Sequence, residues 1–137
     1  MSDDAAKSAD GGTGTGTGGP VAGGPVPGAE DRKIITLARS ARARNGVPEG
    51  AAVRDETGRT YVAGTVELDS LKLSALRTAV AMAVASGARS LEAAAVVSAA
   101  AEVPGEDRAA VRDLGGPGTP VLLAGPDGTL RTTVTAG

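Results

Sequence analysis

Residues 71–87, LKLSALRTAVAMAVASG, hold one lysine, one arginine and a few hydroxyls among apolar side chains. The spacing predicts a helix. Leu73, Leu76, Val80 and Val84 fall on one stripe and Ala75, Ala79 and Met82 on another, so almost no polar face remains. Asp69 or Ser70 can cap its start and Gly87 can end it. A helix that is apolar nearly all round is buried on more than one side. In a chain of 137 residues this calls for a sheet on one side and a further layer, or another subunit, on the other.

The flanking segments supply that sheet. Residues 30–45 read as an amphipathic helix with Ile34, Leu37, Ala38 and Ala41 on one face. Glu30 and Asp31 at its start and Arg39, Arg42 and Arg44 near its end suit the helix dipole, and Asn45-Gly46 stops it. The arginines are read as a solvated helix end, because no aromatic residue is interleaved with them. Residues 51–54 and 59–67 read as strands around an Asp55–Gly58 turn. Residues 91–99 are a continuous apolar run, expected to be a buried parallel strand. Residues 104–114 read as a short helix, 120–124 as a buried strand and 130–135 as a last strand. The pattern gives an α/β layered sheet of about five strands. Residues 1–29, rich in Gly, Thr and Pro, are expected to be a disordered tail, leaving residues 30–137 as one domain. The Gly-rich run is not read as a phosphate loop, since no strand precedes it and no Gly-Lys-Ser/Thr ends it.

Missing residue types exclude much chemistry. The chain has no Cys and no His. That rules out disulfides, Cys or His metal ligation, and Ser-His or Cys-His catalysis. Tyr61 is the only aromatic residue, so stacking a nucleobase on a ring is nearly unavailable. A net charge of −2 argues against nucleic acid or an anionic membrane as a main partner. The N-terminal MSDDAAKSAD lacks the apolar run of a secretory signal, and no apolar stretch reaches the ~18 residues of a membrane span. The expected location is the cytoplasm, with which the lack of cysteine agrees.

Several short strings, in order, resemble the cytidine deaminase family. Val47-Pro48-Glu49-Gly50-Ala51-Ala52 is similar to its F-x-V-G-A-A, and DETGR, residues 55–59, to its hairpin turn. Thr65-Val66-Glu67 is similar to N-V-E, and Ser74-Ala75-Leu76-Arg77-Thr78-Ala79 to C-A-E-R-T-A. AAAVVS, ending at Ser98, resembles the next strand, residues 104–108 fall where the family has P-C-x-x-C, and PVLLAGPDGTL, residues 120–130, resembles a later strand and turn. The resemblance implies a three-layer α-β-α fold with a mixed sheet and helices on both faces. It also implies a zinc site, with a glutamate moving the proton as zinc-bound hydroxide attacks the ring.

The ligand positions fall on Ser74, Gly105 and Arg108, and the glutamate position on Leu76. None of the four can do that work, so no catalytic residue and no metal or other cofactor is expected. By the same resemblance the substrate-binding positions are Val47 for the stacking Phe, Thr65 for the ribose-binding Asn, and Glu67. Glu102, Glu106 and Asp107 are read as solvated carboxylates at a helix start. Arg77 keeps the family's identity and is expected to serve the structure through a salt bridge with Asp113 or Glu67.

The reading is a catalytically degenerate binding or scaffold module. It forms a homo-oligomer, dimer or tetramer as the family commonly does, through the alanine-rich helix, with a further protein partner open. One alternative is a nucleoside sensor that kept its pocket. Another is an active cytidine deaminase, which would need a catalytic device the chain does not carry. A third is an unrelated small α/β protein.

Overall fold

The computed structural model describes residues 27–137. The tail expected over residues 1–29 lies outside the described residues except at its end, where Ala29 already begins a helix. In chain order the elements are α1 (Ala29–Asn45), β1 (Gly50–Asp55), β2 (Thr60–Gly64), β3 (Val66–Glu67), β4 (Lys72–Leu73), α2 (Ala75–Ala85), β5 (Leu91–Val97), α3 (Gly105–Gly115), β6 (Pro120–Ala124) and β7 (Leu130–Thr135). The main sheet has five strands in the order β2-β1-β5-β6-β7. Only β5 and β6 run parallel; β1 pairs antiparallel with both β2 and β5, and β6 with β7. Strands β3 and β4 form a separate two-stranded ribbon.

Alternation along the strands divides the core into two layers. On β1, Ala52 faces α1, while Ala51 and Val53 face α2 and α3. Under α1, Ile34, Ile35 and Ala38 pack on Ala52, Ala93, Ala95, Val97, Leu122 and Ala124. On the other face Leu76, Ala79, Val80 and Ala83 of α2, with Val111 of α3, cover Ala94, Val96, Val121 and Leu123. The architecture is the expected three layers, α-β-α, around a mixed sheet.

Small side chains set the spacing. A Cβ on Gly50 would run into the backbone carbonyl of Ala38, so α1 lies directly against the start of β1. Gly46 ends α1 in the left-handed conformation at φ 63°, with its amide bonded to the Arg42 carbonyl.

Two expectations are corrected. The helix expected over residues 71–87 starts at Ala75, because Leu68 and Leu71 close a tight turn and Lys72–Leu73 pair with Val66–Glu67. Its cap is therefore Ser74, whose Oγ accepts from the Arg77 amide at 3.1 Å, and not Asp69 or Ser70. The strand expected over residues 59–67 breaks at Thr65, whose amide bonds to the Glu49 carbonyl at 3.2 Å and whose Oγ1 accepts from the Glu49 amide at 3.1 Å. Among the described residues the flanks of α2 on either side of its buried face are also left partly open. Met82 is 40% and Val84 54% exposed, and Leu68 and Leu71 of the ribbon turn are 60% and 49% exposed.

The close approach of α1 gives a test. Gly50→Ala is expected to cost about 1–3 kcal/mol, because the obstacle is backbone and cannot rotate away. Gly105→Ala, where a Cβ meets nothing within 4 Å, should stay within about 0.5 kcal/mol of the unaltered protein in the same urea titration.

Candidate functional site

Four chain segments converge where α2 and α3 begin. Ser74 caps α2, and Asp107 lies in the first turn of α3. Glu49 precedes β1, and Ser98 follows β5; the pairing of Gly50 with Val97 sets these two side by side. This is the carboxyl end of the parallel pair β5 and β6, where open α/β sheets commonly place their sites.

Two hydrogen-bonded pairs fill the place. Ser74 Oγ donates to Asp107 Oδ1 at 2.9 Å while it accepts from the Arg77 amide. Ser98 Oγ donates to Glu49 Oε2 at 2.9 Å and accepts from the Ala100 amide at 3.0 Å. Asp107 is only 2% exposed. Burial pushes its carboxyl above the ordinary value of 3.8; the Ser74 hydrogen bond opposes this, and the nearby charges of Glu49 and Glu106 add to it. The expectation that Asp107 is a solvated helix-start carboxylate is therefore corrected: the contact of α2 with α3 removes it from water. Glu106 and Glu102 do stay exposed.

The remaining positions singled out from sequence are spread around this centre. Leu76 is fully buried in the core, facing the sheet. Gly105 opens α3 and offers no side chain. Arg108, one residue past Asp107, is half-buried and lines a separate cavity with Thr132 and Val134. Thr65 has its hydroxyl engaged with the Glu49 backbone. Glu67 is exposed on β3, paired in register with Lys72, and Val47 is half-buried beside Gly64. Arg77 pairs with Glu106, at 3.9 Å, rather than with Asp113 or Glu67. Both partners reach solvent, and a pair of that kind contributes little. Sequence reasoning missed Glu49 and Ser98. Their signal was the pairing of the residue before one strand with the residue after another, which only the sheet order supplies.

The Cytidine deaminase-like family profile matches residues 27–128. The chain belongs to that family. Its fold is similar to the crystal structure of cytidine deaminase from Burkholderia pseudomallei, with 29% identity and a TM-score of 0.68 over 77% of this chain and 91% of that one. Cytidine deaminase from Mycobacterium tuberculosis gives 25% identity and a TM-score of 0.59 over 76% and 90%. That from Mycobacterium leprae, at 24% identity and a TM-score of 0.61 over 76% and 91%, shares the fold. No curated protein matches the chain by sequence.

For this family member the donor set does not fit zinc. The chain offers no thiolate or imidazole anywhere. Ser74 is tied to Asp107, Gly105 has no donor, and Arg108 carries positive charge. Among the described residues no group of three or more carboxylates is placed to hold a metal ion. Leu76 has no proton to exchange.

Two carboxylates give opposite pH signatures. Asp55 accepts from the Thr57 amide and hydroxyl, the Arg59 amide and the Tyr61 hydroxyl, and the Thr57 bond leads in holding it down to about 2. A depressed carboxyl stabilises the fold above its unfolded value of 3.8 and loses that stabilisation as pH falls toward 2. Asp107 is raised, so its contribution is full below 3.8 and is lost as pH rises through its folded value. Melting temperature against pH should therefore have a shallower acid limb in Asp55→Asn, the part that Asp127, also held low by Thr129, does not supply. In Asp107→Asn, which keeps an acceptor for Ser74, stability relative to the unaltered protein should rise with pH. A constant difference from about pH 4 to pH 7 would contradict the assignment of Asp107. Ser74→Ala removes both cap and bond and should cost about 1–3 kcal/mol.

Proposed function

We propose that this cytidine deaminase-like protein does not deaminate nucleosides and works as a binding and scaffold module of the cytoplasm, without a metal cofactor. The observation that carries the reading is the Ser74–Asp107 hydrogen bond: the side chain at the first ligand position is committed to holding two helices together. The buried Leu76 at the proton-shuttle position and the absence of Cys and His from the chain support it.

The same reading includes self-assembly. Met82 and Val84, on opposite flanks of the buried face of α2, and Leu68 and Leu71 in the turn between β3 and β4 leave large apolar side chains in water. Exposed apolar side chains of this size on a small protein suit burial against a second copy of the chain. Double substitution Met82→Asp and Val84→Asp should convert a dimer or tetramer into a monomer by light scattering, with the circular dichroism spectrum unchanged. A monomeric unaltered protein would remove this part of the proposal.

The activity is tested with the isotope-labelled full chain and cytidine, followed overnight by NMR. The expected result is no uridine and no amide shifts near the site. Uridine formed in proportion to protein would overturn the reading. Saturable shifts at Thr65, Glu67 and Ser74 without uridine would replace the scaffold with a nucleoside sensor. Added zinc should leave both spectrum and result unchanged.

A further inference from the structure

We infer that the outer face of α1 is a docking surface for an acidic helical segment of a partner protein. The inference names the kind of partner that the binding module proposed above takes, and it rests on that reading. Docking on α1 and uridine formation are read separately, so either can fail without the other.

Charge is segregated in this chain. Residues 29–45 hold five cations, Arg32, Lys33, Arg39, Arg42 and Arg44, and two carboxylates, Glu30 and Asp31. The whole chain has a net charge of −2, so the remainder is acidic. Within α1 both kinds of charge are partly engaged. Asp31 pairs with Arg54 at 3.3 Å, and Arg42 is half-buried with its Nε donating to the Pro48 carbonyl at 2.9 Å. That leaves Arg32, Lys33, Arg39 and Arg44 exposed, against the exposed carboxylate of Glu30 at the helix start. None of these four cations pairs with a carboxylate among the described residues.

Helical spacing arranges them in two rows. Arg32 and Arg39, seven residues apart, run along one flank of the exposed face, and Lys33 and Arg44, eleven apart, along the other. Between the rows lie Thr36, Ser40 and Ala43, all exposed and all small. Small residues down the middle let another backbone come close, and the cations on either side meet carboxylates there. The rows span about 18 Å at the helical rise of about 1.5 Å per residue, roughly three turns of a partner helix. Two of the cations are held before any partner arrives. Arg32 Nη1 donates to the Pro27 carbonyl at 2.9 Å, and the Arg39 stem lies against Gly128 in the turn before β7. A nucleic acid fits less well. It runs on past the helix, where the acidic remainder repels it, and the chain has no row of aromatic rings to stack its bases.

The experiment titrates the isotope-labelled full chain with a blocked peptide of three EAAEAAA heptads, whose glutamates line one face of a helix. The same peptide with glutamine for glutamate and a short DNA duplex serve as comparisons. The amides of Arg32, Thr36, Arg39, Ser40 and Ala43 should shift saturably with the acidic peptide, more weakly as salt is raised, and stay still with the glutamine peptide. Arg32→Glu with Arg39→Glu should weaken binding at least about tenfold, with the circular dichroism spectrum unchanged. No saturable shift on α1, equal shifts with the glutamine peptide, a folded double variant that binds unchanged, or DNA binding more tightly than the acidic peptide would each overturn the surface. If the double variant fails to fold, Ser40→Glu, in the middle of the exposed face, should give the same loss, and an unchanged affinity there would likewise overturn it.

Discussion

A core assembled without Phe or Trp has to gain its burial from close approach. In this protein the sheet offers Ala51, Ala52, Ala93, Ala94 and Ala95 at its centre, and α1 and α2 answer with Ala38, Ala41, Ala75, Ala79 and Ala83. Each alanine buries little area, so dispersion has to be gathered from many atoms at short range. Gly50 is the extreme case, where strand and helix meet backbone to backbone. Tyr61, the single aromatic ring, is used at the edge, packed on the core while its hydroxyl donates to Asp55 at 2.8 Å.

The same economy shapes the site. Two helix starts, α2 and α3, face one another across a short gap, and both bring partial positive charge from their free amides. Ser74 and Asp107 close that gap with one hydrogen bond. Asp107 gains from the helix start and loses from burial, and the upward displacement of its titration shows that burial wins. Arg54 shows the opposite balance in an ion pair. Burial lowers its titration, but Glu92 at 2.9 Å and Asp31 at 3.3 Å outweigh it, tying β1 to β5 and α1. The fold thus ties its helices to the sheet and to each other with side chains of its own.

Much of this was legible before the structure. Helical spacing, charges at helix ends, extended-structure residues around a turn and continuous apolar runs marked all three helices and all five strands of the main sheet, within a few residues at their ends. The family strings pointed to the fold, and the profile match bears the family out. What failed is instructive. The segment from Leu71 to Leu73 looked like the start of the helix because Leu73 fits its apolar stripe, yet the turn between Leu68 and Leu71 turned it into a ribbon. Asp107 looked solvated because acidic residues commonly begin exposed helices. Arg77 was paired with the wrong acids because sequence distance does not order three candidate carboxylates in space.

By itself the sequence determined the chemistry this chain lacks, since a missing Cys or His cannot be restored by any arrangement in space, and it determined the layered α/β class, because periodicity reports which faces avoid water. Only the tertiary structure decided which polar groups lost their water. Asp107 and the Nε of Arg108 are ordinary surface groups in the sequence and become buried when α3 packs into the fold. Desolvation depends on every element packed around a group, and that sum exists only once the layers are assembled.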